Sequence, residues 1–280
     1  MLILNLMNIG VFDSGLGGLV VLKAIMSKLP QFSYIYLGDT ARMPYGNKSQ
    51  EVIYHSARAG IEFLLKDMNC QLVITACNTV SAEALKKLQE EYLPQEFPGD
   101  GLPTRRILGV IIPTAEHVAR LGYDKVGLLA TKSTVSSHAY EREVHKINPS
   151  IEIISQAAPL LVPLIEEGWS NKEVTKTVLR EYLEPLKLQN VQAVIPGCTH
   201  FPLLRDLMQQ EVGKNCEVVD APEVIANALA SYLTRHREIT EKLTTSNPTL
   251  TCHVTDHNPL YSEYSFTLFG KQVEFKKIDL

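Results

Sequence analysis

This chain of 280 residues lacks closely spaced cysteine pairs, an excess of basic residues and a long apolar run. The five cysteines are odd in number and show no CxxC spacing, which favours free thiols in a reducing compartment over a disulfide framework or a zinc site. Lysine and arginine number 27 against 31 acidic residues, and this net charge of −4 argues against a dedicated nucleic-acid binder. No apolar stretch has the length of a membrane span. We therefore expect a cytoplasmic protein with no membrane or nucleic-acid partner.

Short apolar, β-branched runs alternate with helical patterns, which is typical of a parallel α/β sheet. The N-terminal stretch MLILNLMNIGVF has no basic segment or cleavage site, so we interpret it as leading into a core strand rather than as a signal peptide. The segment Pro94–Pro103 is predicted to be a loop, and the tail beyond Arg235 an extended appendage. The predicted strands are Ile9–Phe12, Tyr34–Leu37, Leu72–Thr75, Ile107–Ile111, Lys125–Ala130, Ile151–Ser155, Ala193–Ile195 and Glu217–Val219.

The two halves of the chain repeat one pattern. The strand IGVFDS in the first half matches VGLLAT in the second, and each is followed at similar spacing by a strand that ends in a cysteine. From Asp13 to Cys77 there are 64 positions, and from Ala130 to Cys198 there are 68. This repetition predicts an α/β fold of two related doubly wound domains, with mainly parallel sheets and an active site in the cleft between them.

Cys77 and Cys198 each close a buried strand and open a helix, in LVITACNT and AVIPGCTH. Ligands of open α/β sheets bind at this end of the strands, and a helix N-terminus favours a thiolate. Two thiols that face each other across a cleft can remove a proton from one face of a carbon and return one to the other. A single buried cysteine is usually a small apolar residue, but the matched placement favours this chemistry. The remaining cysteines, Cys70, Cys216 and Cys252, are interpreted as structural.

Two glycine-containing segments follow the first two strands. In DSGLGG, residues 13–18, the backbone turns sharply ahead of a helix, as in anion-binding loops. Val20 stands where a dinucleotide fingerprint has glycine or alanine, and the P-loop lysine is absent, so a small carboxylate fits better than a nucleotide. In GDTARMPYG, the Tyr45 hydroxyl and the amides around Gly46 are candidate carboxylate ligands. A plain turn and a plain loop are the alternative interpretations.

Several titratable side chains have a candidate role beside the two thiols. His200 is placed to orient or deprotonate Cys198, and Asp13 to do the same for Cys77. Glu166, at the end of an apolar run, is either a further acid or base or an ordinary charge at a helix end. Thr131 and Thr134 are weaker candidates to line the site.

In these motifs the chain resembles the bacterial glutamate racemases. The similarity extends to about residue 235 and rests on GVFDSGLGG, GDTARMPYG, TACNT, PLLVPLIEEG and GCTH, in the family's order. The resemblance implies an isomerase without pyridoxal phosphate, any other cofactor or a metal, which interconverts L- and D-glutamate for peptidoglycan synthesis and thus for cell-wall biogenesis and cell shape. It also implies a homodimer whose chain returns to its first domain. The expected domains are residues 1–102 with 214–280, and residues 103–213.

The resemblance also implies roles for individual residues. Cys77 is the base for D-glutamate and Cys198 the base for L-glutamate, with Asp13, Glu166 and His200 as assisting acids and bases. The implied substrate-binding residues are Asp13, Ser14, Tyr45, Gly46, Asn78, Thr79, Thr199 and His200.

Three other functions are compatible with the same residues. A racemase for aspartate or another acidic amino acid would share the paired thiols and differ in the depth of its pocket. An amino-acid-binding protein without enzymatic activity would need the cleft but not both thiols. A thiol redox enzyme would need the two sulfur atoms within reach of a disulfide bond.

Overall fold

The computed structural model describes residues 7–99, 104–258 and 260–280, in which ten strands form two sheets. Every pairing within both sheets is parallel. The strands are β1 (Asn8–Asp13), β2 (Tyr34–Gly38), β3 (Cys70–Thr75), β4 (Arg106–Gly109), β5 (Lys125–Ala130), β6 (Glu152–Ala157), β7 (Ala193–Gly197), β8 (Glu217–Val218), β9 (Leu250–Val254) and β10 (Phe275–Lys277).

The two sheets share a common order of four strands. The first sheet runs β10-β9-β2-β1-β3-β4 and the second β6-β5-β7-β8. In each, the first strand in sequence lies between the second and the third, and the fourth follows the third. We call the six-stranded sheet with its helices the first unit, and the four-stranded sheet with its helices the second unit. The predicted pair of related parallel α/β units is confirmed.

Helices cover both faces of each sheet, so strand residues are buried on both sides. On β1, Ile9 and Val11 pack towards helices α1 (Gly18–Lys28) and α12 (Ala221–Arg235), whereas Phe12 packs towards α2 (Gln50–Glu62). The helices are α1 (Gly18–Lys28), α2 (Gln50–Glu62), α3 (Asn78–Glu83), α4 (Leu85–Lys87), α5 (Leu93–Glu96), α6 (Ile111–Ala119), α7 (Lys132–Ser136), α8 (Ala139–His145), α9 (Leu161–Glu166), α10 (Glu173–Leu188), α11 (Arg205–Val212), α12 (Ala221–Arg235), α13 (Arg237–Thr240) and α14 (Leu260–Phe269).

All the predicted strands, from Ile9–Phe12 to Glu217–Val219, are present in the structure, with small differences at their ends. One such difference is at Ile107–Ile111, where β4 stops at Gly109 because α6 begins at Ile111. The first three residues of the predicted loop, 94–96, belong to helix α5 (Leu93–Glu96), and residues 100–103 lie outside the described part of the chain.

The prediction of an extended appendage beyond Arg235 was wrong. This tail contains α13, β9, α14 and β10, and β9 pairs along its whole length with β2. Its strands are LTCHV and FKK, in which polar residues interrupt the apolar run that marks the other strands.

The domain boundaries stay a prediction, and we propose to move them. Strand pairing places β4 in the first sheet and β8 in the second, so we propose that the chain leaves the first unit near Val110 and returns to it in α12. Helix α12 packs against α1 of the first unit and α6 of the second. Among the described residues, no helix is long and apolar enough to cross a membrane.

Candidate active site

The carboxyl ends of β1, β3, β5 and β7 meet around one closed cavity between the two units, where open α/β sheets bind their ligands. Its volume is about 20 Å³, which is room for about one water molecule. Of the predicted site residues, all but Asp13 and the weaker candidate Thr134 line it, and those assigned by resemblance are Ser14, Tyr45, Gly46, Cys77, Asn78, Thr79, Glu166, Cys198, Thr199 and His200. Four further residues complete the wall: Met43, Pro44, Thr131 and Val162.

Cys77 lies at the end of the first unit's central strands, 5% exposed, with its Sγ 3.4 Å from the Ser14 hydroxyl. Burial raises the pKa of the Cys77 thiol to about 12, and the nearby Asp13 carboxylate adds to the rise. The Ser14 hydroxyl and the Val80 amide act in the opposite direction but are outweighed. Desolvation therefore outweighs the effect of the helix N-terminus, and the balance at Cys77 favours the protonated thiol.

Cys198 has a different set of neighbours. Its Sγ lies 3.8 Å from His200 Nδ1, and His200 Nε2 lies 3.1 Å from Glu166 Oε1. The second contact is an ion pair rather than a straight hydrogen bond, because the Nε2–H direction departs from the line to the carboxylate. Burial disfavours the imidazolium, but Cys198 and Glu166 outweigh it and raise the pKa of His200 well above its usual value. His200, whose charged form is favoured, therefore lies between the Cys198 sulfur and the Glu166 carboxylate.

Asp13 connects the two units beneath the cavity. Its side chain is fully buried, accepts a hydrogen bond from the Gly15 amide at 2.9 Å and another from the Thr199 hydroxyl at 3.3 Å. Burial raises the pKa of Asp13, although His200 and these hydrogen bonds oppose the rise. Asp13 thus influences Cys77 through its charge, while its hydrogen bonds fix the position of Thr199.

The polar residues after Cys77 contact the second unit. Asn78 Oδ1 accepts a hydrogen bond from the Tyr140 hydroxyl at 2.7 Å, and the Thr79 and Thr131 hydroxyl oxygens are 3.1 Å apart. Thr131, a weak candidate in the sequence, therefore belongs to the cavity wall and also caps α7.

We call residues 39–46, between β2 and α2, the substrate loop. The Tyr45 ring lines the cavity, but its hydroxyl donates to Asp39 Oδ2 at 2.5 Å, so it is not directed at a ligand as the sequence suggested. At the start of the short 3₁₀ turn Tyr45–Asn47, the first amides have no partner within the turn. Tyr45 and Gly46 are thus placed to offer backbone N–H groups.

Sequence reasoning did not single out Gly17 or Asp39. A Cβ atom at Gly17 would lie 2.5 Å from Thr199 Oγ1 and 2.6 Å from His200 Nδ1, so only glycine permits this approach of the two units. Asp39 is fully buried behind the substrate loop. The glycine motif gave a partial signal for Gly17, and nothing local distinguishes Asp39 from an ordinary loop aspartate.

Two cysteines from equivalent places in two α/β units, brought to one closed cavity with acids and a histidine beside them, are the features of an amino-acid racemase. Residues 20–229 match the Asp/Glu/Hydantoin racemase family, and the chain belongs to this family.

Individual relatives support the same conclusion and confirm the resemblance seen in the motifs. The chain is 42% identical to a glutamate racemase of Neisseria meningitidis over 226 residues, which cover 80% of this chain and 79% of the relative. The crystal structure of the Francisella tularensis glutamate racemase in complex with D-glutamate matches with a TM-score of 0.85, 33% identity and 98% coverage of both chains. The Bacillus anthracis glutamate racemase isoform RacE1 matches with a TM-score of 0.86, 29% identity and 98% coverage of both chains.

Proposed function

We propose that this protein interconverts L- and D-glutamate by a two-base mechanism, with Cys77 and Cys198 as the acid and base. The observation that carries the proposal is the presence of two thiols, one from each unit, in a single cavity with different proton-handling neighbours. The choice of glutamate is supported by the relatives, which include a structure that holds D-glutamate.

In the direction from L-glutamate, the Cys198 thiolate removes the α-proton and becomes a thiol. The Cys77 thiol gives its proton to the opposite face of the α-carbon and becomes a thiolate, so proton and charge balance. The imidazolium of His200 stabilises the starting thiolate, and Glu166 holds His200 in its charged form. The high pKa of Cys77 keeps its proton available for this transfer. The D-to-L reaction follows the same steps in reverse.

Removal of an α-proton leaves negative charge that no pyridoxal ring delocalises in this mechanism. The cavity is small, its two cysteines are buried and polar side chains surround it, and such an environment stabilises developing charge more strongly than water does. We propose that the substrate's carboxylates and amine are bound by backbone amides of the substrate loop and by side chains on both units. The proposed binding residues are Asp13, Ser14, Tyr45, Gly46, Asn78, Thr79, Thr199 and His200.

The cellular role is proposed on family resemblance. D-glutamate made by this enzyme would enter peptidoglycan, and the reaction would take place in the cytoplasm. We propose a homodimer as the working form. An aspartate racemase and a binding protein without activity are the competing functions, and the experiment below separates them.

The test is incubation of the purified protein with L-glutamate in D₂O without pyridoxal phosphate. We expect D-glutamate that carries deuterium at the α-carbon, because its new proton comes from a thiol equilibrated with solvent. Cys77→Ser and Cys198→Ser should each lose inversion. Cys77→Ser should still exchange the α-hydrogen of L-glutamate, and Cys198→Ser that of D-glutamate, because each retains the base for one face.

Cys216→Ser is the matched control, since Cys216 is also buried in the second unit but does not line the cavity. Its rate should equal that of the unmodified protein. Turnover of aspartate alone would retain the mechanism and change the substrate. Binding of glutamate without turnover would identify a binding protein, and inversion by either serine variant at full rate would overturn the two-thiol mechanism.

A further inference from the structure

We propose that the tail of the chain, through Thr255 and Asp39, positions the substrate loop and thereby sets the affinity for glutamate. This inference rests on the proposed function for its substrate, but it concerns residues outside the cavity. Thr255 and Asp39 are positioning residues, since neither lines the cavity and both act on it through Tyr45.

Asp39 is a buried carboxylate at the base of the substrate loop. It is fully buried and accepts three hydrogen bonds: from the Tyr45 hydroxyl at 2.5 Å, from the Thr255 hydroxyl at 2.8 Å and from Arg42 Nη1 at 3.0 Å. A buried charge is costly unless its lone pairs are satisfied, so removal of one donor disturbs the other two. Through this carboxylate, the position of Thr255 determines that of Tyr45.

Thr255 directly follows β9 and contacts the loop at three points. Its hydroxyl donates to Asp39 and accepts from the Ala41 amide at 2.9 Å, and its own amide donates to the Gly38 carbonyl at 3.2 Å. Because β9 pairs in parallel with β2 from Tyr34 to Gly38, Thr255 lies beside the carboxyl end of β2, where the substrate loop begins.

Two neighbouring contacts hold the loop to the tail on either side of Thr255. The Thr40 hydroxyl donates to the Asp256 carbonyl at 2.7 Å and accepts from the Asp256 amide at 2.8 Å. Arg42 bridges Asp39 to the end of the described chain, where Nη2 donates to the Leu280 carbonyl at 2.7 Å. These hydrogen bonds join side chains of the loop to the backbone of the tail or to the buried Asp39 carboxylate. The conformation of the loop therefore depends on the tail.

The expected kinetic effect follows from what the loop touches. Tyr45 and Gly46 line the cavity, whereas the proposed proton transfers are made by residues on other elements. A loop that binds a non-reacting part of the substrate contributes equally to the ground state and the transition state. Loss of its positioning should therefore raise KM and leave kcat nearly unchanged.

The experiment compares Thr255→Val, which keeps the shape but removes the hydroxyl, with Thr255→Ser, which restores it. Loss of a hydrogen bond to a charged group should raise KM about tenfold in Thr255→Val, with kcat within about twofold. Because L- and D-glutamate are equally stable, kcat/KM must fall by the same factor in both directions. Thr255→Ser should return KM to near the original value.

Thr240→Val is the matched control, because Thr240 is a half-buried tail residue whose hydroxyl contacts only the Leu233 and His236 carbonyls. An activity-independent measurement is hydrogen exchange of the amides in residues 39–48 without substrate. Exchange of these amides should be about tenfold faster in Thr255→Val, because the lost hydrogen bond lowers the free energy of local opening by about 1.4 kcal/mol. Exchange should be unchanged in Thr240→Val. If Thr255→Val does not fold, Arg42→Met serves in its place, since Arg42 is more than one-third exposed.

Unchanged loop exchange in Thr255→Val would overturn the inference, as would an equal KM in an enzyme that racemises glutamate. If the unmodified protein does not racemise glutamate, the proposed function fails, and the exchange measurement still decides whether the tail positions the loop. A fall in kcat with KM unchanged would also contradict the inference, because it would place Thr255 in the chemical step.

Discussion

Cys77 and Cys198 occupy equivalent places in the two sheets, yet their neighbours give them opposite tendencies. Cys77 faces a hydroxyl and a carboxylate, and burial raises its pKa to about 12. Cys198 faces His200, whose imidazolium form is favoured by Glu166 and by Cys198 itself. A repeated fold thus supplies two similar sites, and single-residue differences give the two thiols different neighbours: Ser14 and Asp13 at Cys77, and His200 at Cys198.

Gly17 lies at a close approach of the two units beside the site. A methyl group there would meet Thr199 and His200 at under 3 Å, although the glycine's own φ of −57° suits alanine. We predict that Gly17→Ala folds but displaces His200 and Thr199. Displacement of about 1 Å costs on the order of 100-fold in rate, so kcat/KM for glutamate should fall by about that factor.

Gly15→Ala is the control for this prediction. The nearest atom to a methyl group at Gly15 is the flexible sulfur of Met43, at 3.1 Å, so a smaller loss of rate is expected. Circular dichroism and a thermal melt should show both variants folded. A Gly17→Ala enzyme as active as the original would mean that the units are farther apart when the reaction occurs.

At the scale of elements, the N-terminus of helix α7 forms part of the cavity wall, and the same helix connects the second unit to the first. Its N-cap Thr131 accepts a hydrogen bond from the Thr134 amide at 3.3 Å, and its hydroxyl lies 3.1 Å from that of Thr79 on α3. Nearby, the Ser133 hydroxyl donates to Glu83 at 2.8 Å. The same short helix therefore shapes the cavity and connects the two units.

We predict that Thr131→Val lowers the free energy of unfolding by about 1 to 2 kcal/mol, because a helix cap and a hydrogen bond between the units are lost together. KM for glutamate should rise as well, since Thr131 lines the cavity. Urea unfolding and steady-state kinetics measure the two effects. Thr131→Ser keeps the hydroxyl and should restore both, and a valine variant as stable as the original would contradict the capping role.

At the scale of the whole molecule, the cavity is too small for the proposed substrate. A volume of about 20 Å³ holds about one water molecule, so an amino acid enters only after the units move apart. We expect that rotation at the two proposed connections, near Val110 and before α12, opens the cavity without breaking either sheet. The closed structure is the form that excludes water during proton transfer.

Buried thiols also make the stability of the whole molecule sensitive to alkali. Burial raises the pKa of Cys252 from 9.0 to about 12. Between these values the unfolded chain has lost the thiol proton and the folded chain retains it. Stability from this group is therefore fully present below pH 9 and is lost as the pH rises towards about 12, by about 1.4 kcal/mol per pH unit.

We predict that Cys252→Ala shows a shallower loss of stability with pH than the unmodified protein. The difference in slope should be about 1.4 kcal/mol per pH unit between about pH 9.5 and pH 11, measured by urea unfolding. The comparison of slopes removes the constant cost of the smaller side chain. Parallel slopes for the two proteins would show that the Cys252 thiol ionises equally in the folded and unfolded states.

The strands, the related halves and the paired cysteines could be read from the sequence because they depend on local patterns. Apolar runs of four to six residues define buried parallel strands, and a cysteine at the end of such a run occupies the ligand-binding edge of a sheet wherever the sheet lies. The tail was misjudged because its strands acquire their identity only by pairing, β9 with β2 and β10 with β9.

The sequence by itself determined that two thiols belong to equivalent strand ends, and so determined the class of chemistry. Only the tertiary structure decided the contacts around each thiol. Asp13 meets Thr199 across 186 positions, and Asp39 meets Thr255 across 216. Such contacts leave no local pattern, because the burial and charge that decide each pKa arise only when distant segments pack together.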